Sequence, residues 1–219
     1  MTHLHIPDGV LPVWLWLAGL VLAAGFAGLA SFQHRHDRPD RLTLLAALCA
    51  VMLAAMSVPI GPLGHLSFAP MVGILLGPGL GFLAAALVNG TLALLGHGGL
   101  TVVGLNTCVL GAAMVVARPA YRLFRARLQP GRAGALATIV ALAASVAALC
   151  VVVALATRDA RAAAALAGDS ELHIAGVSAA TGRFVLLSSP FWLIGIVAEA
   201  LVTSSVLSYL ARVRPELLP

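Results

Sequence analysis

Lysine is absent from this chain, aromatic residues make up only 5% of its 219 positions, and charged residues only 10%. A soluble domain usually carries about 25% charged residues, so this chain lacks the means to solvate a water-facing surface. It contains no GxxxxGK[ST] phosphate loop and so cannot hydrolyse ATP itself, and it contains no HExxH metalloprotease pair. Cys49, Cys108 and Cys150 each sit inside an apolar run, without a CxxC spacing. They read as small buried hydrophobes and support neither a disulfide framework nor a thiolate cluster. What remains is 61% hydrophobic with a mean hydropathy of +1.03, and the net charge of +5 comes from arginine alone. This is the composition of an all-α, polytopic membrane protein, here a single integral membrane domain over residues 1–219.

The apolar runs predict about seven transmembrane helices, near residues 11–31, 42–58, 66–76, 80–95, 102–124, 133–156 and 184–210. The first run begins after a segment with Asp8 and no arginine, so it is a retained helix rather than a secretory signal. Trp14 and Trp16 suit a membrane interface, and Ala23, Ala27 and Ser31, with Ala24 and Gly28, form a small-residue stripe for close helix packing. The count of seven depends on Gly77-Pro78-Gly79. Only if that tripeptide breaks the run 66–95 do the three arginine-rich stretches (residues 33–41, 118–132 and 212–214) fall on one side of the membrane. By the positive-inside rule that side is the cytoplasm, with the amino terminus outside and the carboxyl terminus inside. Residues 157–183 then form an extracytoplasmic loop with balanced charge. The arginine run 118–132 is explained by topology, and no nucleic acid is expected as a partner.

On this topology the amino-terminal segment, His65 and His97 share the outer face. A run of about eleven residues such as 66–76 cannot cross a hydrocarbon core of about 30 Å. Irregular backbone at that depth requires surrounding protein or a water-filled cavity. An outward-opening cavity near His65 and His97 is therefore expected, into which residues 1–10 could fold by a turn at Pro7-Asp8-Gly9. His3 and His5 beside a free amino group would supply the nitrogen donors that Ni(II), Co(II) and Cu(II) prefer. His34 and His36, between arginines, read as solvated loop residues, and His173 as part of the outer loop. Asn89, Asn106 and Glu199 are polar groups at membrane depth, either functional or hydrogen-bonded between helices.

Several segments together carry a resemblance: His5-Ile6-Pro7-Asp8-Gly9, Gly64-His65, Ile74-Leu75-Leu76-Gly77-Pro78, Gly98-Gly99-Leu100-Thr101 with Gly104 and Asn106, and Ala211-Arg212-Val213-Arg214-Pro215. The chain resembles the CbiM/NikM family, the membrane substrate-capture subunits of energy-coupling-factor transporters for cobalt and nickel. The likeness covers nearly everything except residues 157–183. It implies four nitrogen ligands: a terminal amine, the amide and imidazole of a second-position histidine matched here by His5, and a further imidazole matched by His65. Beside the resemblance, His97 reads as a flexible loop residue or a hydrogen-bonding partner of a ligand imidazole, Asp8 as such a partner or a plain turn former, Asn106 as a brace for the metal loop, and Glu199 as a helix tether. The resemblance also implies a transmembrane coupling subunit and paired ABC-type ATPase subunits, with a small accessory membrane subunit as a further partner, in the cell membrane of a prokaryote. Ni(II) or Co(II) would be the transported substrate, with no catalytic cofactor. Every donor must shed a proton, so capture should weaken below the ordinary imidazole range near ~6.5.

His5 stands fifth rather than second, a departure from the family pattern. Three routes reconcile it: initiation at Leu4, removal of Met1 to leave His3 second, or a separate amino-terminal chelate built on His3 with Met1 retained. Two other functions compete with metal capture. An intramembrane metalloenzyme would need a general-base carboxylate near His65 and an open coordination position, and neither is evident. A vitamin-capture subunit of the same transporter class would want a stacking pocket, which the scarcity of aromatics disfavours.

Overall fold

The computed structural model describes residues 11–58, 65–166 and 172–219. Among these there are seven α-helices and no strand: α1 (Val13–Gln33), α2 (Pro39–Ser57), α3 (Ala69–Leu76), α4 (Pro78–Leu94), α5 (Val103–Arg125), α6 (Pro130–Leu166) and α7 (Leu172–Val213), followed by a 3₁₀ turn at Pro215–Leu217. Five stretches are long and apolar enough to cross a membrane: Val13–Gln33, Pro39–Ser57, Val103–Arg125, Pro130–Ala156 and Ser189–Val213. Their outward faces carry leucine, valine, isoleucine and phenylalanine, as lipid contact demands. The protein is a multi-pass membrane protein.

α5 is the hub. It packs against α1, α3, α4 and α6, and its buried face runs from Gly104 through Leu110 and Met114 to Tyr121. Glycine makes these approaches close. A Cβ at Gly104 would fall 2.5 Å from the backbone of Gly19 and Leu20, and one at Gly73 would fall 2.5 Å from the Met114 carbonyl oxygen. On α1 the buried stripe is Leu15, Gly19, Ala23 and Ala30. Ala23 was expected there, but Ala24, Gly28 and Ser31 face outward. The stripe is set by where Gly19 admits α5, not by the alanines alone.

The Gly77-Pro78-Gly79 break is real. Gly77, at φ 88°, ends α3 by donating its N–H to Gly73 and opens α4 by accepting from Gly81. Pro78 occupies the first helical position of α4, where its missing N–H costs nothing. All eight residues of α3 are buried, so the short helix is enclosed by protein rather than lipid. An alanine at Gly77 would be forced to positive φ and would meet the Arg118 guanidinium 2.6 Å away. At φ 88° and ψ 176° the backbone is in a region that is essentially glycine's alone, and Gly77→Ala is expected to cost about 1–3 kcal/mol from backbone strain. Gly90→Ala, in open space, should be neutral or mildly stabilising; thermal unfolding in detergent compares the two.

The Gly77 turn also fixes relative sidedness. Cβ atoms at Gly79 and Gly77 would meet His34 and Arg118 respectively, and the start of α6 at Gly131 abuts Ser204 and Ser208 of α7. The arginine-bearing stretches thus gather at one end of the bundle. At the opposite end, Leu15, Val102, Leu149, Val152 and Trp192 form a second apolar cluster. The connection 157–183 expected between the last two spans is largely helical: α6 continues to Leu166 and α7 begins at Leu172, beyond the apolar spans that end at Ala156 and start at Ser189. The alanine-rich sequence after Arg161 has high helix propensity, and that outweighs its scattered charge.

Candidate metal centre

His65 follows the undescribed residues 59–64 and opens a four-residue non-helical stretch, 65–68, before α3. Phe68 closes that stretch at φ 53°, the left-handed region that side chains avoid. Its carbonyl accepts the first α3 bond, from the N–H of Val72, at 3.0 Å. Between them, Ser67 is 1% exposed and is held from across the bundle. Its backbone N–H donates to Glu199 Oε1 of α7 at 2.7 Å, and its hydroxyl donates to the same oxygen at 2.9 Å. The Ser67 hydroxyl in turn accepts the N–H of Ala69 at 3.3 Å.

His97 reaches the same region from the other side. α4 ends in a Schellman motif: Gly96, at φ 80°, donates to Ala93, and His97 donates to Leu92 at 2.8 Å. Gly98, at φ 86°, turns the chain towards α5. The glycines on either side of His97 therefore aim it rather than leave it loose. The rings of His65 and His97 stand 5.6 Å apart, centroid to centroid, at 74° to one another.

The sequence-predicted residues are therefore brought together in part. His65 and His97 meet; Glu199 joins them through Ser67; Asn106 is buried in the first turn of α5, just beyond the 98–102 turn. Asn89, on α4, is 2% exposed, and among the described residues neither end of its amide has a hydrogen-bond partner. His3, His5 and Asp8 lie outside the described residues. Among the described residues no three His, Cys, Asp or Glu side chains converge, so a complete nitrogen site would need donors from elsewhere in the chain. His34 belongs to the opposite end, where its Nδ1 faces Asp37 Oδ2 at 3.0 Å; it is half-buried against Gly79 rather than solvated as expected. Ser67 was missed by sequence reasoning; its only signal was a hydroxyl two residues beyond His65, in a segment too short to span.

The comparisons agree with this architecture. The profile of the family described as cobalt uptake substrate-specific transmembrane region, CbiM, matches residues 5–217. A metal transport protein of Haemophilus influenzae is 38% identical over 133 residues, covering 58% of this chain. That match spans only 60% of the relative's own length. A fused nickel transport protein, NikMN, of Archaeoglobus fulgidus is 29% identical over 227 residues, 98% of this chain and 68% of that protein. Among solved structures, a truncated transition metal transporter superposes with a TM-score of 0.74 at 22% identity, over 95% of this chain and 99% of that one. With the profile matched over nearly the whole length and the fold shared, the chain belongs to the CbiM family of cobalt uptake substrate-specific transmembrane regions.

Proposed function

We propose that this protein is the substrate-specific membrane subunit of an ATP-driven transition-metal importer, capturing Ni(II) or Co(II) at the extracytoplasmic face and passing it inward. The observation that carries the reading is the pairing of His65 with His97, 5.6 Å apart, at the end of the bundle away from the arginines. Arginine-rich stretches face the cytoplasm by the positive-inside rule, which puts the histidine end outside, with the amino terminus outside and the carboxyl terminus inside. Imidazole nitrogen is a good donor for both metals, and the names of relatives point to cobalt and nickel.

In this reading His65 is a direct ligand, and His5 joins it from residues 1–10 together with the amine that begins the mature chain. His3 takes that place if maturation leaves it second. His97 and Asp8 orient the ligand imidazoles, and Asn106 braces the 98–102 turn. The chain has no phosphate loop, so the work of transport falls to a transmembrane coupling subunit and ABC-type ATPase subunits, with a small accessory subunit as a further candidate. Titration of purified protein with Ni(II) and with Co(II), after mass measurement of its mature amino terminus, tests the donor set. One ion per chain is expected, with affinity falling as pH is lowered, because protons compete for each donor. His5→Ala should abolish most of the binding; parental affinity in that variant would remove His5 from the site.

A further inference from the structure

We propose that Glu199 is a positioning residue for metal capture: its carboxylate clamps the strained 65–68 turn through Ser67 and so fixes where His65 presents its imidazole. This rests on the assignment of His65 as a ligand and adds the device that holds it. Three observations carry the clamp. Glu199 has no exposure to solvent and lies ten residues into the Ser189–Val213 span, about 15 Å from its start at 1.5 Å per residue. A carboxylate at that depth is costly and is retained only where it does something.

The same depth applies to Ser67. Its backbone has left helical geometry, so its N–H has no helical partner, and lipid offers none. Glu199 Oε1 accepts that N–H and the Ser67 hydroxyl together, at 2.7 and 2.9 Å, across 132 residues of sequence. Finally, Phe68 sits at φ 53°, a conformation that persists only where its surroundings over-determine it. With Val72 bonded to the Phe68 carbonyl on one side and Glu199 gripping Ser67 on the other, the turn has one geometry. His65, two residues before Ser67, inherits it. Without the clamp the turn relaxes and the imidazole samples positions away from the metal.

Groups that orient metal ligands typically contribute 10- to 100-fold to metal affinity. Ni(II) and Co(II) titrations, with thermal unfolding of the same metal-free samples, would be run on Glu199→Leu, Glu199→Gln, Ser67→Ala, His65→Ala and Leu207→Ala. Leu207 is a fully buried α7 residue that packs against Gly134 of α6, eight residues and about 12 Å along the helix from Glu199, and its variant measures the effect of instability alone. Glu199→Leu should weaken binding about 10- to 100-fold, and Ser67→Ala, which keeps the backbone bond, by less. Glu199→Gln retains an acceptor oxygen and should recover most of the affinity. The Ni(II) ligand-field band should move in Glu199→Leu and stay put in Leu207→Ala. If Glu199→Leu does not fold, Ser67→Ala decides, since the carboxylate remains. Parental affinity in a folded Glu199→Leu, or in Ser67→Ala when that is the only readable variant, overturns the clamp, as does an equal loss in Leu207→Ala. Loss of binding in His65→Ala beside parental affinity in Glu199→Leu defeats the clamp alone, whereas parental affinity in His65→Ala defeats the metal assignment beneath it.

Discussion

Gly104→Val should leave little or no folded protein in detergent, and Gly73→Val should do nearly the same. At Gly104 the new side chain would enter space held by the backbone of Gly19 and Leu20 in α1; at Gly73 it would strike the Met114 Cα and carbonyl oxygen in α5. Backbone atoms inside a helix cannot rotate aside, so a whole helix must move. The displaced helix would then lose the contacts that hold the α5 hub together. Overpacking usually costs about 1–3 kcal/mol where side chains can adjust, and these positions offer no such adjustment. Gly111 makes a useful contrast, because there a Cβ meets only the Phe82 ring, which can swing. At Gly25 and Gly28 nothing lies within 4 Å, so alanine there should be harmless or slightly stabilising through helix propensity. Size-exclusion profiles and thermal unfolding of the five positions would rank them. Gly104→Val and Gly73→Val as stable as Gly28→Ala would mean that the helices do not cross where these glycines place them.

Such crossings also mark how far the sequence could be read. The break at Gly77-Pro78-Gly79 was legible because a proline between glycines ends one helix and starts the next, and charge sidedness required the chain to turn there. Glu199 was legible as a residue with a reason to exist, since a carboxylate in an apolar run is expensive. Its partner was not. Nothing local links positions 67 and 199, and the left-handed Phe68 that lets Ser67 face α7 contradicts the preference of phenylalanine itself. The α1 stripe was misplaced for a related reason. In a run so rich in alanine and glycine several faces look suitable for packing, and the choice of Gly19 belongs to the α5 residue opposite it, Leu105. The helical backbone through 157–166 and 172–183 was hidden by its charges, which led the eye to a loop. Local propensity therefore fixed where helices begin and end, while long-range contacts fixed which faces meet.

His65→Ala should show the largest functional effect of any single replacement among the described residues, with loss of Ni(II) and Co(II) binding by well over the ~100-fold attached to supporting groups. The argument is one of donor number. If a planar nitrogen site draws its other ligands from residues 1–10, His65 is the donor that pins that segment to α3 through the metal, and removing it costs a bond to the metal and that anchoring together. His97→Ala leaves the His65 imidazole in place but removes the neighbouring ring at 5.6 Å, so its expected cost is about 10- to 100-fold. His34→Ala should change nothing, because His34 lies with Asp37 at the arginine end. The three variants order the histidines by place rather than by chemistry, since all are imidazoles. Equilibrium titration in detergent reads that order. An equal response from His65 and His34 would mean that the ion does not bind at the histidine end, and a larger loss from His97→Ala than from His65→Ala would make His97 the ligand and His65 its support.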